Sequence, residues 1–199
     1  MKKILYQIAC AACMMIVGMS LSSCSDDAWG NDNPETENVF YFGFQDWGKL
    51  DNKVAYTVNQ GQTIDIPVQF WCAGSRAFDA EAYYYVDTNL ALGTDFQIVD
   101  ANGNPLQPDA NGAFTMKWQL TGPDETDNHR VQSIYFKALN GATGDVNLTT
   151  FDPKDVDADG KVKISNGSTN GVIYTPNNIN SLYEVHCFTQ NYKVKVSIK

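Results

Sequence analysis

Three aspartates spaced two apart, Asp155, Asp157 and Asp159, run directly into Gly160 and, two residues later, the apolar Val162. That spacing brings hard oxygen donors to one side of a tight loop, and a glycine behind them lets the chain turn sharply. The cation such a set suits is calcium, which takes about six to eight oxygen ligands. Asn166 stands where a bidentate carboxylate would close the set more firmly, and Lys161 and Lys163 dilute the local negative charge. A second reading stands beside the first, because Asp159-Gly160 is equally a hairpin turn between two strands. Flat rings are the other chemical resource. Trp71 is out of phase with its apolar neighbours, Tyr83 and Tyr85 are in phase with Glu81 and Asp87, and Trp47 lies among Asp46, Gly48 and Lys49. Parity sends the first three outward, and a loop position leaves Trp47 exposed. Such rings stack on the apolar face of a pyranose, so the four make a candidate glycan surface; the competing reading packs them under the long segment 141–180.

Acid–base and nucleophilic chemistry has little to draw on. His129 sits in the polar stretch Asp127-Asn128-His129-Arg130, which reads as a loop, and His186 alternates with Val185 and Cys187 on what reads as the outward face of a strand. No Gly-x-Ser-x-Gly, His-Glu-x-x-His or Walker-type loop occurs. Two carboxylates acting as a glycosidase need no local motif, so a weak glycoside hydrolase remains a third functional reading. The expectation is a protein that is not an enzyme. With 14 Lys and Arg against 23 Asp and Glu, a net charge of −9, nucleic acid is not an expected partner. Binding it takes a basic stripe that displaces phosphate counterions.

The N-terminus is an address. Lys2 and Lys3 precede an apolar run from Ile4 to Met19, and Leu21-Ser22-Ser23-Cys24 follows. A basic start, an apolar stretch and small residues before a cut site make a secretory signal, and the run falls short of the roughly 20 apolar residues that span a bilayer. Leu-Ser-Ser-Cys resembles the bacterial lipobox, in which signal peptidase II cuts before the cysteine and the cysteine is acylated. The resemblance implies a leader over residues 1–23, lipidation at Cys24 and a membrane anchor, since several acyl chains together hold a protein on a bilayer. Ser25 after the cysteine lacks the inner-membrane retention signal of enteric bacteria, and Asp26-Asp27 resembles a short acidic surface-export tag of some Gram-negative gut anaerobes. An outer-membrane lipoprotein facing the cell surface is implied. Residues 24–38 then form a polar tether, and removal of the leader takes two lysines with it.

From Val39 to Lys199 the chain reads as one domain with a hydrophobic period of two. Phe40-Phe42-Phe44, Ile64-Ile66-Val68-Phe70-Cys72, Phe114-Met116-Trp118-Leu120, Ile134-Phe136-Ala138 and Tyr192-Val194-Val196-Ile198 alternate with mixed residues. Trp118, in phase with Phe114 and Met116, belongs to the core. Asn59-Gln60-Gly61, Asn102-Gly103, Asn111-Gly112, Asp159-Gly160 and Asn166-Gly167 supply turns. Seven or more short strands without an amphipathic helix predict an all-β, antiparallel β-sandwich, with Pro67 marking an edge strand or a bulge. Tyr83-Tyr84-Tyr85-Val86-Asp87 followed by Ala91-Leu92-Gly93-Thr94-Asp95-Phe96 is similar to the signature of Calx-β-like domains, and Gly61 to Val68 resembles that family's second strand. The spacing after Ala91 is one residue short, and residues 141–180 have no counterpart. The resemblance implies an immunoglobulin-like sandwich and no particular activity. The Asp155–Asn166 stretch likewise resembles the calcium loops of EF-hands and dockerins, without flanking helices.

Once Cys10 and Cys13 leave with the leader and Cys24 takes lipid, Cys72 and Cys187 remain, both in phase with apolar neighbours. Export through an oxidising compartment permits a disulfide between them; the alternative is two separate buried thiols. The function expected is non-catalytic glycan binding in the service of nutrient uptake. The alternative is a structural or adhesive module that holds an outer-membrane protein partner through a sheet edge.

Overall fold

Alternating residues become strands wherever one side of the run can be buried, and the two sets of apolar faces here close on each other. The computed structural model describes residues 38–44, 53–72, 76–121, 129–154, 172–173, 182–188 and 190–199. All of them belong to the second of two units, Asn38–Lys199, the first being Met1–Glu37. The strands are β1 (Val39–Phe44), β2 (Ala55–Val58), β3 (Thr63–Trp71), β4 (Ala80–Asp87), β5 (Phe96–Val99), β6 (Ala113–Trp118), β7 (His129–Ala138), β8 (Gly144–Thr149), β9 (Val172–Ile173), β10 (Glu184–Phe188) and β11 (Lys193–Ile198). There is no helix among the described residues.

One sheet has the order β5-β7-β3-β1-β10-β9 and the other β2-β11-β8-β4-β6. The molecule is therefore an all-β sandwich. Each sheet departs from uniform antiparallel pairing once: β1 runs parallel to β10, with Tyr41 opposite His186, and β2 runs parallel to β11, with Ala55 opposite Lys195. Between the sheets lie Phe40, Phe42, Phe44, Ile66, Val68, Phe70, Trp118, Phe136, Leu148 and Val196, all buried. The Trp118 ring stacks on Phe70 at 5.1 Å and meets Phe42 edge-on at 6.1 Å, so its place in the core follows the parity expectation.

Pro67 does not mark an edge strand, because β3 is flanked by β7 and β1. Among the described residues the β1–β3 ladder runs as far as Phe44 opposite Val68, next to Pro67, and Pro67 faces Ser133 of β7.

Two turns repeat one four-residue phrase, Asp-Ala-Asn-Gly. At Asp100–Gly103 the carboxylate accepts the N–H groups of Asn102 and Asn104 at 2.9 and 2.8 Å; at Asp109–Gly112 it accepts those of Asn111 and Ala113 at 2.8 and 2.9 Å. Gly103 and Gly112 take φ of 84° and 87°, a region that glycine enters without a Cβ penalty. These paired Asx turns fix where β5 ends and β6 begins, and hence the edge at which the two sheets face solvent.

Candidate ligand-binding cleft

The aromatic residues singled out by parity do not converge. Trp71 ends β3 on the outer face of the six-stranded sheet, partly exposed, its ring 5.9 Å from that of Tyr41. Tyr83 lies on the outer face of the other sheet, where its hydroxyl donates to Glu81 Oε2 at 3.0 Å. Desolvation, helped by the neighbouring Glu81, pushes the Tyr83 phenol up to about 12. Tyr85 shares that face yet is only 3% exposed, which corrects its placement on the surface. Thr149 stands opposite Tyr85, and its hydroxyl donates to the Phe151 carbonyl at 2.8 Å. Parity picks a side of the sheet; it does not say whether that side is covered. Trp47, the acylation site Cys24, and the calcium candidates Asp155, Asp157, Asp159 and Asn166 lie outside the described residues. Among the described residues no group of three or more His, Cys, Asp or Glu is placed to hold a metal ion.

Both histidines fall on one cross-strand row. His129 begins β7 rather than lying in a loop, opposite Trp71; Trp71 is opposite Tyr41, and Tyr41 opposite His186. His186 is on the outer face, as its parity requires, but it is 8% exposed, with Nε2 2.9 Å from Glu184 Oε2. Burial raises the Tyr41 phenol to about 12. Of the described aromatic side chains in this row, Trp71 offers solvent a partly open ring.

The disulfide is corrected. Cys72 follows β3 and Cys187 lies in β10, and β1 runs between those two strands. Two strand spacings are roughly 9–10 Å, beyond the ~7 Å Cα separation that a disulfide spans. Both cysteines are buried thiols. Arg130 Nη1 donates to Cys72 Sγ at 3.3 Å, and desolvation raises the Cys187 thiol to about 12.

A cleft opens where strand lengths fail to match. β7 has ten residues but β5 has four, and β5 pairs with β7 only from Tyr135 to Ala138. Among the described residues, the stretch of β7 from His129 to Ile134 therefore has no strand on its β5 side. Across the gap stands β6, the edge strand of the other sheet. Two side chains stitch the opposed edges: Gln132 Nε2 donates to the Lys117 carbonyl at 2.7 Å, and Arg130 Nε donates to the Gln119 carbonyl at 3.1 Å. Asp79 fixes the exit of β6 by accepting the N–H groups of Leu120 and Thr121 and the Thr121 hydroxyl, which holds its carboxyl below the usual aspartate range.

Beside the stitches lies a cavity of about 450 Å³, within the ~300–1,000 Å³ range of small-molecule sites. Tyr84, Val99, Leu106, Met116 and Ile134 give it apolar walls, and Thr115, Gln132, Ser133 and Tyr135 give it hydroxyl and amide groups. None of these residues stood out in the sequence as a ligand contact. The strand parity of Met116 and Ile134 marks them as core, but the gap beside them depends on the length of β5 and on its register with β7.

The fold and the cleft define an all-β sandwich with an opening at one pair of sheet edges, an architecture that hosts many activities and dictates none. No family model matches the chain, and no curated protein matches it. Among solved structures the chain is similar to CaCohA2 from Clostridium acetobutylicum, known from a solution structure, with a TM-score of 0.39 and 11% identity over 83% of this chain and 94% of that one. It is also similar to AvmM, which catalyzes macrocyclization in alchivemycin A biosynthesis, with a TM-score of 0.33 and 15% identity over 81% and 89% of the two chains. At such scores the likeness carries no functional argument.

Proposed function

We propose that this chain is an outer-membrane, surface-facing lipoprotein, anchored through Cys24 and the tether that follows it, whose sandwich binds a glycan without acting on it, in the service of nutrient uptake. The cleft between β6 and β7 is the observation that carries the binding half of this reading. It combines apolar walls with hydroxyl- and amide-bearing residues in a cavity of about 450 Å³, large enough for one or two sugar rings. A ring with one apolar face and a rim of hydroxyls matches that lining. The anchor rests on the sequence of residues 1–24.

Affinity electrophoresis and calorimetry of the full mature chain against a polysaccharide panel test the proposal. Saturable binding to at least one glycan, at one site and without product release, is the expected result. Absence of binding across the panel removes the glycan reading, and product release makes the protein a hydrolase. Mass spectrometry of the mature N-terminus tests the anchor, which an unmodified Cys24 would exclude.

A specific feature favours the alternative of a protein partner held at a sheet edge. The part of β7 without a β5 partner carries Val131, which is 47% exposed beside that edge. Stoichiometric recovery of one outer-membrane protein, unaffected by added glycan, would support that reading instead.

A further inference from the structure

Among the described residues, the cavity between β6 and β7 is bounded at both ends along the strand direction. At one end Gln132 and Lys117, which both line it, are tied by the 2.7 Å bond from Nε2 to the carbonyl, and Arg130 repeats the tie to Gln119 two residues on. At the other end the chain running from β5 to β6 joins the two walls covalently, and Asp100, Ala101 and Leu106 of that connection line the cavity. Leu106 is itself fastened, its N–H donating to the Ile98 carbonyl at 2.8 Å. From the Gln132 tie to Tyr135, where pairing with β5 begins, β7 advances three residues, about 10 Å of strand. What is left open is the side, between the two sheet edges.

Tyr84 reaches this cavity from β4, one strand in from the β6 edge. It is 2% exposed, and its ring stacks on Phe114 at 5.2 Å, which holds it in place. Among the described residues no hydrogen bond is made by its hydroxyl, yet the oxygen is not sealed inside the domain. It opens onto the cavity that the residue lines. Desolvation raises the phenol above the ordinary tyrosine range, so it keeps its proton. A protonated phenol both donates and accepts, and leaving such a group unmet in a buried place costs free energy.

We infer that the cleft receives the end of a glycan chain, one or two rings inserted from the side, and that the Tyr84 hydroxyl bonds the inserted ring at the inner end of the cavity. This rests on the glycan-binding reading above. An internal stretch of a polymer must both enter and leave its site, and so needs a groove open at each end. Here the Gln132 and Arg130 ties stand at one end and the β5–β6 connection at the other. A terminal ring also carries one more free hydroxyl than an internal ring, in which the glycosidic oxygen takes that place. The extra hydroxyl is a partner for a buried phenol.

The test takes the full mature chain and a polysaccharide that binds it on the panel, titrated by calorimetry before and after partial acid hydrolysis. Hydrolysis multiplies chain ends at constant mass, so the binding capacity per gram rises in proportion to the reducing ends counted by a reducing-sugar assay. Unchanged or reduced capacity means that the middle of a chain is bound; it overturns the inference and leaves glycan binding standing. Tyr84→Phe weakens binding by about tenfold, the loss of one hydrogen bond. Its melting temperature stays at or above that of the unaltered chain, because the hydroxyl has no bond within the described fold to lose. Full affinity in Tyr84→Phe, or a lowered melting temperature, overturns the role given to Tyr84. Binding that persists in Tyr84→Phe and is lost in Trp71→Ala moves the site to the outer face and overturns the inference. Absence of binding across the panel overturns the glycan reading and this inference together.

Discussion

Gly43 is the position at which one added carbon should be felt most. It lies in β1 opposite Gln69, and a Cβ built there would stand 2.6 Å from both Cγ and Nδ2 of Asn191 and 2.7 Å from its Oδ1. Real Cβ atoms do not approach that closely, so either the amide or β1 must move. Asn191 is 5% exposed and has little room to retreat, and its carbonyl accepts the Phe44 N–H at 2.8 Å. Displacing it therefore strains the turn between β10 and β11 as well as β1. Overpacking of a tight site costs about 1–3 kcal/mol. For a domain of this size that is a loss of roughly 2–12 °C in melting temperature. Asn191→Ala removes all three crowding atoms, so the double variant Gly43→Ala/Asn191→Ala should be more stable than the sum of the two single effects, by about 1 kcal/mol or more. Urea unfolding of the four proteins followed by intrinsic fluorescence gives the cycle. A Gly43→Ala protein that unfolds at the wild-type midpoint, or a double variant with purely additive loss, would refute the packing argument.

Acid should weaken the domain through four aspartates. The Leu120 N–H at Asp79, the Asn104 side-chain amide at Asp100, the Ala113 N–H at Asp109 and the Lys195 ammonium at Asp145 all favour the ionised carboxyl, so each folded value lies below the ordinary one. The unfolded chain protonates first on acidification, so the stability these groups supply is whole above the ordinary aspartate range and is lost as pH falls through the lowered folded values. Urea midpoints measured from pH 7 to pH 3 should decline, and Asp109→Asn should flatten the decline; a constant midpoint would contradict the assignment. The thiols give a separate check. Cys72 and Cys187 should resist iodoacetamide in the native protein and react in denaturant with no reductant present; a requirement for reductant would reveal a bridge.

Much of the sandwich was legible because burial on one face leaves a period of two. β1, β3, β6, β7 and β11 each follow an alternation in the sequence, and Asn102-Gly103 and Asn111-Gly112 are turns, as their composition predicts. β2, with the run Ala55-Tyr56-Thr57-Val58, gives a weak signal, since an exposed edge needs few apolar residues. β8 alternates Val146 and Leu148 but starts at a glycine within a stretch that resembled nothing. Tyr85 and His186 show the limit of parity most clearly. Each is on the side its phase predicts, and each is buried there, because phase gives the side of a sheet and not what covers it. The separation of Cys72 from Cys187 and the cleft between β6 and β7 share that cause: both depend on which strands become neighbours, and no local pattern encodes that.

The two parallel pairings carry a kinetic consequence. β11 fills an interior place between β2 and β8, and β10 lies beside β1, so β2 joins its sheet only through the last strand and the other sheet is completed late. Ala55 meets Lys195 only after the intervening polypeptide has closed a very long loop, and topologies dominated by such remote contacts fold in milliseconds to seconds rather than microseconds. β2, made early, therefore waits for the last strand of the chain before it gains its sheet neighbour among the described residues.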